Sequence, residues 1–311
     1  MRLLLIGCSG FVGRELVPML LEAGDTITLI SRRSGHPAGL EHPGLRCLQL
    51  DPAEEASWSD PRLQSALAEA EGVVNLAGEP IAEQRWTPAH RQRLQDSRLR
   101  TTAGLCRAMA SLETPPAVLV NASAVGFYGT DPEQRFVESS PAGGDFLADL
   151  CSRWEAAATA APEATRVVLL RIGIVLGPDG GALGKMLPVF RAGFGGPVGD
   201  GSQWMSWIHR TDLCRLIIAA LKEDIFRGVY NAVAPDPVTM ATLSRRLGAA
   251  LSRPSLLPVP APILRILLGD GARVVLEGQQ VASERLPETG FSFRFPGIDQ
   301  ALAAATSPEH R

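Results

Sequence analysis

Arg2-Leu3-Leu4-Leu5-Ile6-Gly7-Cys8-Ser9-Gly10-Phe11-Val12-Gly13 is the stretch that decides the fold of this chain. Leu3 to Ile6 are apolar without interruption, as a strand buried on both faces must be; a strand with one wet face would alternate. Glycine stops the run. Beyond the turn, Leu16, Val17, Leu20 and Leu21 recur at helical spacing over 14–23 and end at Gly24, a residue suited to a helix C-cap. A second apolar run, Thr26–Ile30, follows at once. Strand, glycine turn, helix and strand in this order make a βαβ unit, whose crossover should be right-handed.

The glycines of the turn are spaced GxxGxxG, at 7, 10 and 13. The first allows a tight turn, the second lets backbone approach a pyrophosphate, and the third lets helix pack on strand. The N–H groups and dipole at the start of the next helix favour phosphate. Gly7, Ser9, Gly10, Phe11 and Val12 are therefore candidate dinucleotide contacts. The tip of the second strand selects the dinucleotide. An acidic residue there would bind the ribose 2′-hydroxyl of NAD, whereas arginine accommodates the 2′-phosphate of NADP. Ile30-Ser31-Arg32-Arg33 has no acid, so Ser31, Arg32 and Arg33 predict NADP(H) as the cofactor. Leu76, Ala77 and Gly78 end the fourth strand where backbone could approach the ribose. Asp51, after the third, is either an adenine-side contact or a helix cap.

Further along, strands are expected at Leu45–Leu50, Gly72–Leu76, Ala117–Asn121 and Arg166–Arg171, with helices at 88–111 and 144–160. Alternating elements of this kind predict an α/β fold, a doubly wound parallel Rossmann sheet. Residues 1–172 are read as the NADP-binding domain, with elements of 173–252 completing it and the substrate pocket. Residues 253–311 are read as a small C-terminal domain behind the stiff Pro258, Pro260, Pro262 connector. Ten glycines in the 29 positions 173–201 suggest a mobile loop.

Composition limits the partners. The 311 residues are 45% hydrophobic and 20% charged, an ordinary globular balance. A net charge of −3 gives no basic field for nucleic acid, and no apolar run reaches the roughly 18 residues of a membrane span. Lys185 and Lys222 are the only lysines, and five scattered cysteines without CxxC pairs indicate neither a disulfide framework nor a zinc site. A cytoplasmic protein acting on a small-molecule substrate is expected, with homodimerisation left open.

The glycine turn, Asn75-Leu76-Ala77-Gly78, Ser123 followed by Tyr128-Gly129, Arg171, and Ile208-His209-x-x-Asp212-Leu213 resemble the extended short-chain dehydrogenase/reductase superfamily. Arg85-Trp86, Asp96-Ser97-Arg98, Trp154-Glu155, Gly195-Gly196-Pro197 and Gln203–His209 narrow the resemblance to its atypical epimerase branch, NAD-dependent epimerase/dehydratase-like proteins. The tail, with Leu276-Glu277-Gly278-Gln279 and Gly290-Phe291-x-Phe293, looks like the small C-terminal domain of that branch. The resemblance implies cofactor contact for Arg98 and, near the nicotinamide, for Arg171, although a structural salt bridge is an equal reading for the latter. Glu79, Arg85, Lys185, Trp204 and His209 would line the substrate side.

The departures carry as much information. In active short-chain dehydrogenases a Ser or Thr orients the substrate, a tyrosine exchanges the proton, and a lysine four residues later tunes that tyrosine. Ser123 fits the first role. Tyr128 is followed four residues on by Pro132, so it is a different tyrosine; counting back from Glu155, the usual Tyr and Lys positions hold Leu147 and Cys151. Tyr128, Cys151 and His209 remain candidate proton donors; Ser123 is expected to orient the substrate oxygen, with Tyr128 or water supplying the proton. The expected activity is hydride transfer on an unidentified carbonyl or alcohol. The alternatives are a nucleotide-sugar epimerase/dehydratase and a non-catalytic NADP(H) sensor.

Overall fold

The structure is a computed structural model that describes residues 1–33 and 39–307. In chain order its first half runs β1 (Arg2–Ile6), α1 (Gly13–Glu22), β2 (Thr26–Ser31), β3 (Leu45–Gln49), α2 (Pro61–Glu69), β4 (Gly72–Asn75) and α3 (Pro88–Ala110). There follow β5 (Val118–Ala124), β6 (Asp131–Phe136), α4 (Phe146–Thr159), β7 (Arg166–Ile172), β8 (Ile174–Leu176) and α5 (Gly181–Arg191). The second half continues with β9 (Trp204–Met205), β10 (Trp207–His209), α6 (Arg210–Lys222), β11 (Gly228–Ala232), β12 (Val238–Thr239) and α7 (Met240–Ala250). It ends with α8 (Ala261–Leu268), α9 (Arg273–Leu276), β13 (Gln279–Val281) and α10 (Ile298–Thr306).

Seven strands form one parallel sheet in the order β11-β7-β5-β4-β1-β2-β3. The order reverses at β1, and the crevice beyond the carboxyl ends of β1 and β4 is where such sheets bind ligands. Successive residues of β1 face opposite sides, and both sides are dry. Leu3 and Leu5 join Leu16, Val17, Leu213 and Ile217 beneath α1 and α6. Leu4 and Ile6 join Leu63, Leu67, Leu105 and Met109 beneath α2 and α3. The uninterrupted apolar run thus reflects two cores sharing one strand.

One expectation changes. The glycine-rich stretch 173–201 is not simply a loop. It holds β8, which pairs with β10, and α5, whose Leu183, Leu187 and Phe190 are buried. Several of its glycines serve close packing: a Cβ on Gly177, Gly180 or Gly181 would sit 2.8, 2.6 or 2.9 Å from the Phe11 ring. A third core joins Leu187 and Leu247 to Ile298 and Leu302 of α10, so the C-terminal segment shares its interior with the preceding helices. The last four positions of the expected 253–311 unit lie outside the described residues. Among the described residues, no helix is long and apolar enough to cross a membrane.

Candidate functional site

The glycine turn has the geometry its spacing predicts. Gly7 has φ +74°, and a Cβ there would lie 2.6 Å from Ala77 Cα, so β1 can pass the end of β4 only with glycine. A Cβ on Gly13 would lie 2.5 Å from Cys8 Cα, which ties the start of α1 onto the turn. Gly10 has open space, and α1 begins without a side-chain cap at Val12. Its first-turn N–H groups and the exposed Gly10 backbone suit a phosphate. The Phe11 side chain does something else: it packs under the 177–181 glycines with the Arg210 guanidinium 4.7 Å from its centroid.

At the tip of β2, Arg33 N donates to Ser31 Oγ (3.1 Å) and Gln49 Nε2 donates to Arg32 O (3.4 Å), which fixes the backbone. Both arginine side chains are exposed. Arg32 reaches Glu79 Oε2 at 3.7 Å. Glu79 had been expected on the substrate side; its carboxylate instead faces the β2 tip. The chain after β4 is pinned from below. Asn75 Nδ2 donates to Thr102 Oγ1 (2.9 Å) and Asn121 Oδ1 (2.7 Å), and Asn75 Oδ1 accepts from Ala77 N (3.2 Å). Leu76, Ala77 and Gly78 are held beside Gly7 by this buried network. Arg98 lies over Gly78, donating to Leu94 O and Glu79 O at 3.1 Å each and stacking 5.2 Å from the Trp154 ring.

Beyond β5 and β7 a cavity of about 340 Å³ opens between the sheet, α4 and the C-terminal segment. Ser123, Arg98, Leu147, Cys151, Trp204 and Arg273 are on its wall. Leu147 and Cys151, one helical turn apart on α4, do occupy the side facing Ser123. Burial pushes the Cys151 thiol up to about 12, so it stays protonated at neutral pH and supplies no thiolate. Ser123 Oγ donates to Glu155 Oε1 at 2.6 Å. Glu155 is gripped by Arg171, whose Nε and Nη2 donate to its two oxygens at 2.8 Å each. The resulting pair is buried, with every polar edge facing a partner, as a low-dielectric interior demands.

Several expected site residues take other positions. The Tyr128 hydroxyl donates to Asn231 Oδ1 (2.7 Å) and accepts from Arg171 Nη1 (2.9 Å), facing the buried cluster and not the cavity. Burial raises its pKa, against the pull of Arg171, so it is a fixed phenol within the fold. Arg171 was expected near the nicotinamide; its guanidinium is consumed by Glu155, Tyr128 and Glu138 O. The salt-bridge reading of this residue is the one the geometry carries. His209 caps α6, its Nδ1 accepting from Thr211 N (3.2 Å), with its ring 4.1 Å from Phe295. Arg85 Nη1 donates to Ile266 O (3.2 Å) and Lys185 Nζ to Ala82 O (3.0 Å), both outside the cavity wall. Trp204 is on the wall, its indole N–H donating to Pro132 O at 3.1 Å.

The residue overlooked in the sequence is Glu155. In the sequence it serves only as part of the Trp154-Glu155 pattern and as a marker for counting, although a carboxylate on the otherwise apolar face of α4 implies a buried cation across from it. Asn231, Glu138 and Ser283 complete the cluster from distant positions, and Asn231 N donates to Glu138 Oε1 at 3.0 Å.

Comparison with known proteins agrees with this fold. The model of the NAD dependent epimerase/dehydratase family matches residues 3–232, and a domain of unknown function (DUF1731) matches 259–305. The chain is 42% identical over 304 residues to the chloroplastic epimerase family protein SDR39U1 homolog of Arabidopsis thaliana, covering 96% of this chain and 84% of that protein. It superposes on the crystal structure of human epimerase family protein SDR39U1 (isoform 2) with NADPH at a TM-score of 0.87. Identity there is 36%, over 98% of this chain and 99% of the other. The nucleoside-diphosphate sugar epimerase of Corynebacterium glutamicum matches at 31% identity and a TM-score of 0.74, over 97% of this chain and 57% of that one. With a Rossmann sheet, the glycine turn and both matches in sequence order, the chain belongs to the NAD-dependent epimerase/dehydratase family, in the branch that carries the DUF1731 C-terminal segment.

Proposed function

We propose that this chain is an NADP(H)-dependent oxidoreductase that interconverts an uncharged carbonyl compound and its alcohol in the cavity beside Ser123. The observation that carries the reading is the Ser123–Glu155 hydrogen bond of 2.6 Å on the wall of a cavity next to an intact dinucleotide turn. The NADPH in the human relative, and Arg32 and Arg33 at the tip of β2, support NADP(H) over NAD. The glycine turn, the Asn75-braced segment 76–78 and Arg98 would hold the dinucleotide. When bound, the nicotinamide supplies the hydride exchange.

The chain's own residues handle the proton. Ser123 commits its hydroxyl hydrogen to Glu155, leaving oxygen lone pairs for a substrate hydroxyl to donate to. Arg171 orients Glu155 through two hydrogen bonds, so a proton leaving the substrate alcohol can pass through Ser123 to the carboxylate, and return in the reverse direction. Such a relay replaces the missing tyrosine and lysine with a different pair of groups. The cavity favours an uncharged substrate. Ile81, Leu147, Leu150, Ile172 and Val274 make much of its wall apolar. Its two cations are already compensated: Arg273 Nε donates to Glu277 at 3.1 Å, and Arg98 is bound to two carbonyls.

The test is consumption of NADPH, followed by loss of its absorbance, with a panel of aliphatic and aromatic aldehydes and ketones, and with UDP-glucose as the nucleotide-sugar control using NADP⁺. Turnover with at least one uncharged carbonyl, lost in S123A, is expected. Conversion of UDP-glucose to its epimer would replace this reading with the epimerase one. A second reading, a sensor that binds NADPH without consuming it, is favoured by Leu147 and Cys151 alone. Tight NADPH binding with no turnover across the panel would establish it.

A further inference from the structure

We infer that Glu79 limits the affinity for NADPH by competing with the cofactor's 2′-phosphate for Arg32. The inference rests on the NADP(H) reading above and concerns a residue expected, from its place after the fourth strand, on the substrate side. Glu79 and Arg32 come from the two segments that flank β1 at its carboxyl end, the turn after β2 and the turn after β4. Their ion pair of 3.7 Å therefore bridges the crevice in which a dinucleotide would lie. Both backbones are fixed. Glu79 N donates to Ser97 Oγ (2.9 Å) and its carbonyl accepts from Arg98 Nη2 (3.1 Å), while Gln49 holds Arg32 O. Only the side chains can respond.

The two partners are unequal. The Arg32 side chain is 66% exposed and Glu79 only 18%. Arg32 can swing, whereas Glu79 stays on the rim of the crevice. A 2′-phosphate carries more charge than a carboxylate and can take two guanidinium N–H groups, so it wins Arg32 from Glu79 at the cost of opening the pair. A 2′-hydroxyl offers no anion, and with NADH the pair remains closed. Glu79 thus weakens NADPH and leaves NADH almost untouched, which lowers the selectivity that Arg32 would otherwise give.

The experiment is a double-mutant cycle of calorimetric titrations. Wild type, E79Q, R32A and R32A/E79Q are each titrated with NADPH and with NADH, after thermal melts show that all four fold. E79Q should tighten NADPH about two- to five-fold, the scale of an exposed ion pair. NADH should change less than two-fold, and E79Q should have no effect on NADPH in the R32A background. Unchanged or weakened NADPH binding in E79Q would overturn the inference, as would equal tightening of both dinucleotides or a gain that survives without Arg32. Wild type binding neither dinucleotide would overturn the NADP(H) reading itself, a separate result.

Discussion

The two ends of the crevice are built in different ways. At the β1–α1–β2 end, backbone does the work. Gly7 and Gly13 permit approaches that any side chain would block, and the partners lie within a few residues or on the adjacent strand. At the Ser123 end, side chains do the work. Glu155, Arg171, Tyr128 and Asn231 come from α4, β7, the turn after β5 and β11, and hydrogen bonds link them to one another and to Ser123. The first end keeps the GxxGxxG spacing at Gly7, Gly10 and Gly13. The second keeps Ser123 but has Leu147 and Cys151 where a tyrosine and lysine usually stand. Backbone approaches that exclude any Cβ tolerate little change, whereas a cluster made of side chains can be rebuilt around different groups.

That contrast predicts a ranking of effects. The largest belongs to the backbone end: G13A forces a Cβ to 2.5 Å from Cys8 Cα and should cost about 4 kcal/mol or more of stability. G24A is the control. Gly24 has φ +80° but nothing within 4 Å, so it should cost only about 1 kcal/mol, both read from urea denaturation. Similar losses in the two variants would break the argument from close approach.

R171A comes next. It leaves the buried Glu155 carboxylate without its cation and should cost about 3–4 kcal/mol. R32A, at an exposed arginine, should leave the denaturation midpoint unchanged. Equal effects would mean that the Ser123 cluster is not the rigid interior described above. S123A sharpens the division within the site. Turnover should fall about 100-fold or more while the NADPH dissociation constant stays within two-fold. A loss of binding in S123A would move Ser123 into the cofactor half.

The smallest effect concerns the thiols. Burial holds Cys8 and Cys151 near 12 and Cys106 near 11, and also raises half-buried Cys47. These groups stay neutral in the folded chain while an unfolded chain would ionise them near the ordinary thiol value. Their contribution to stability is therefore complete at neutral pH and is lost progressively as pH rises from about 8.5 toward 12. A thiol reagent at neutral pH should label Cys47 ahead of the four buried cysteines, and denaturant should expose all five. Rapid labelling of Cys151 in the native protein would show that α4 opens onto solvent.

The same contrast explains what could be read from the sequence. The parallel sheet and the phosphate turn were legible because their causes are local: apolar runs, glycine spacing and the lack of an acid after Ile30. Arg171 was named but its partner was not, since Glu155 lies 16 residues away on another element and only the fold joins them. Tyr128 and Asn231 are 103 residues apart, and nothing in periodicity links them. The glycines at 177, 180 and 181 misled for the same reason, because the ring of Phe11 that requires them belongs to the opening turn.

The backbone-built end should bind NADP(H) through Arg32 and Arg33. Calorimetric titration of the wild-type protein with NADPH and NADH in the same buffer tests it most directly. At least ten-fold tighter binding of NADPH is expected. Equal binding of the two, or a preference for NADH, would contradict it.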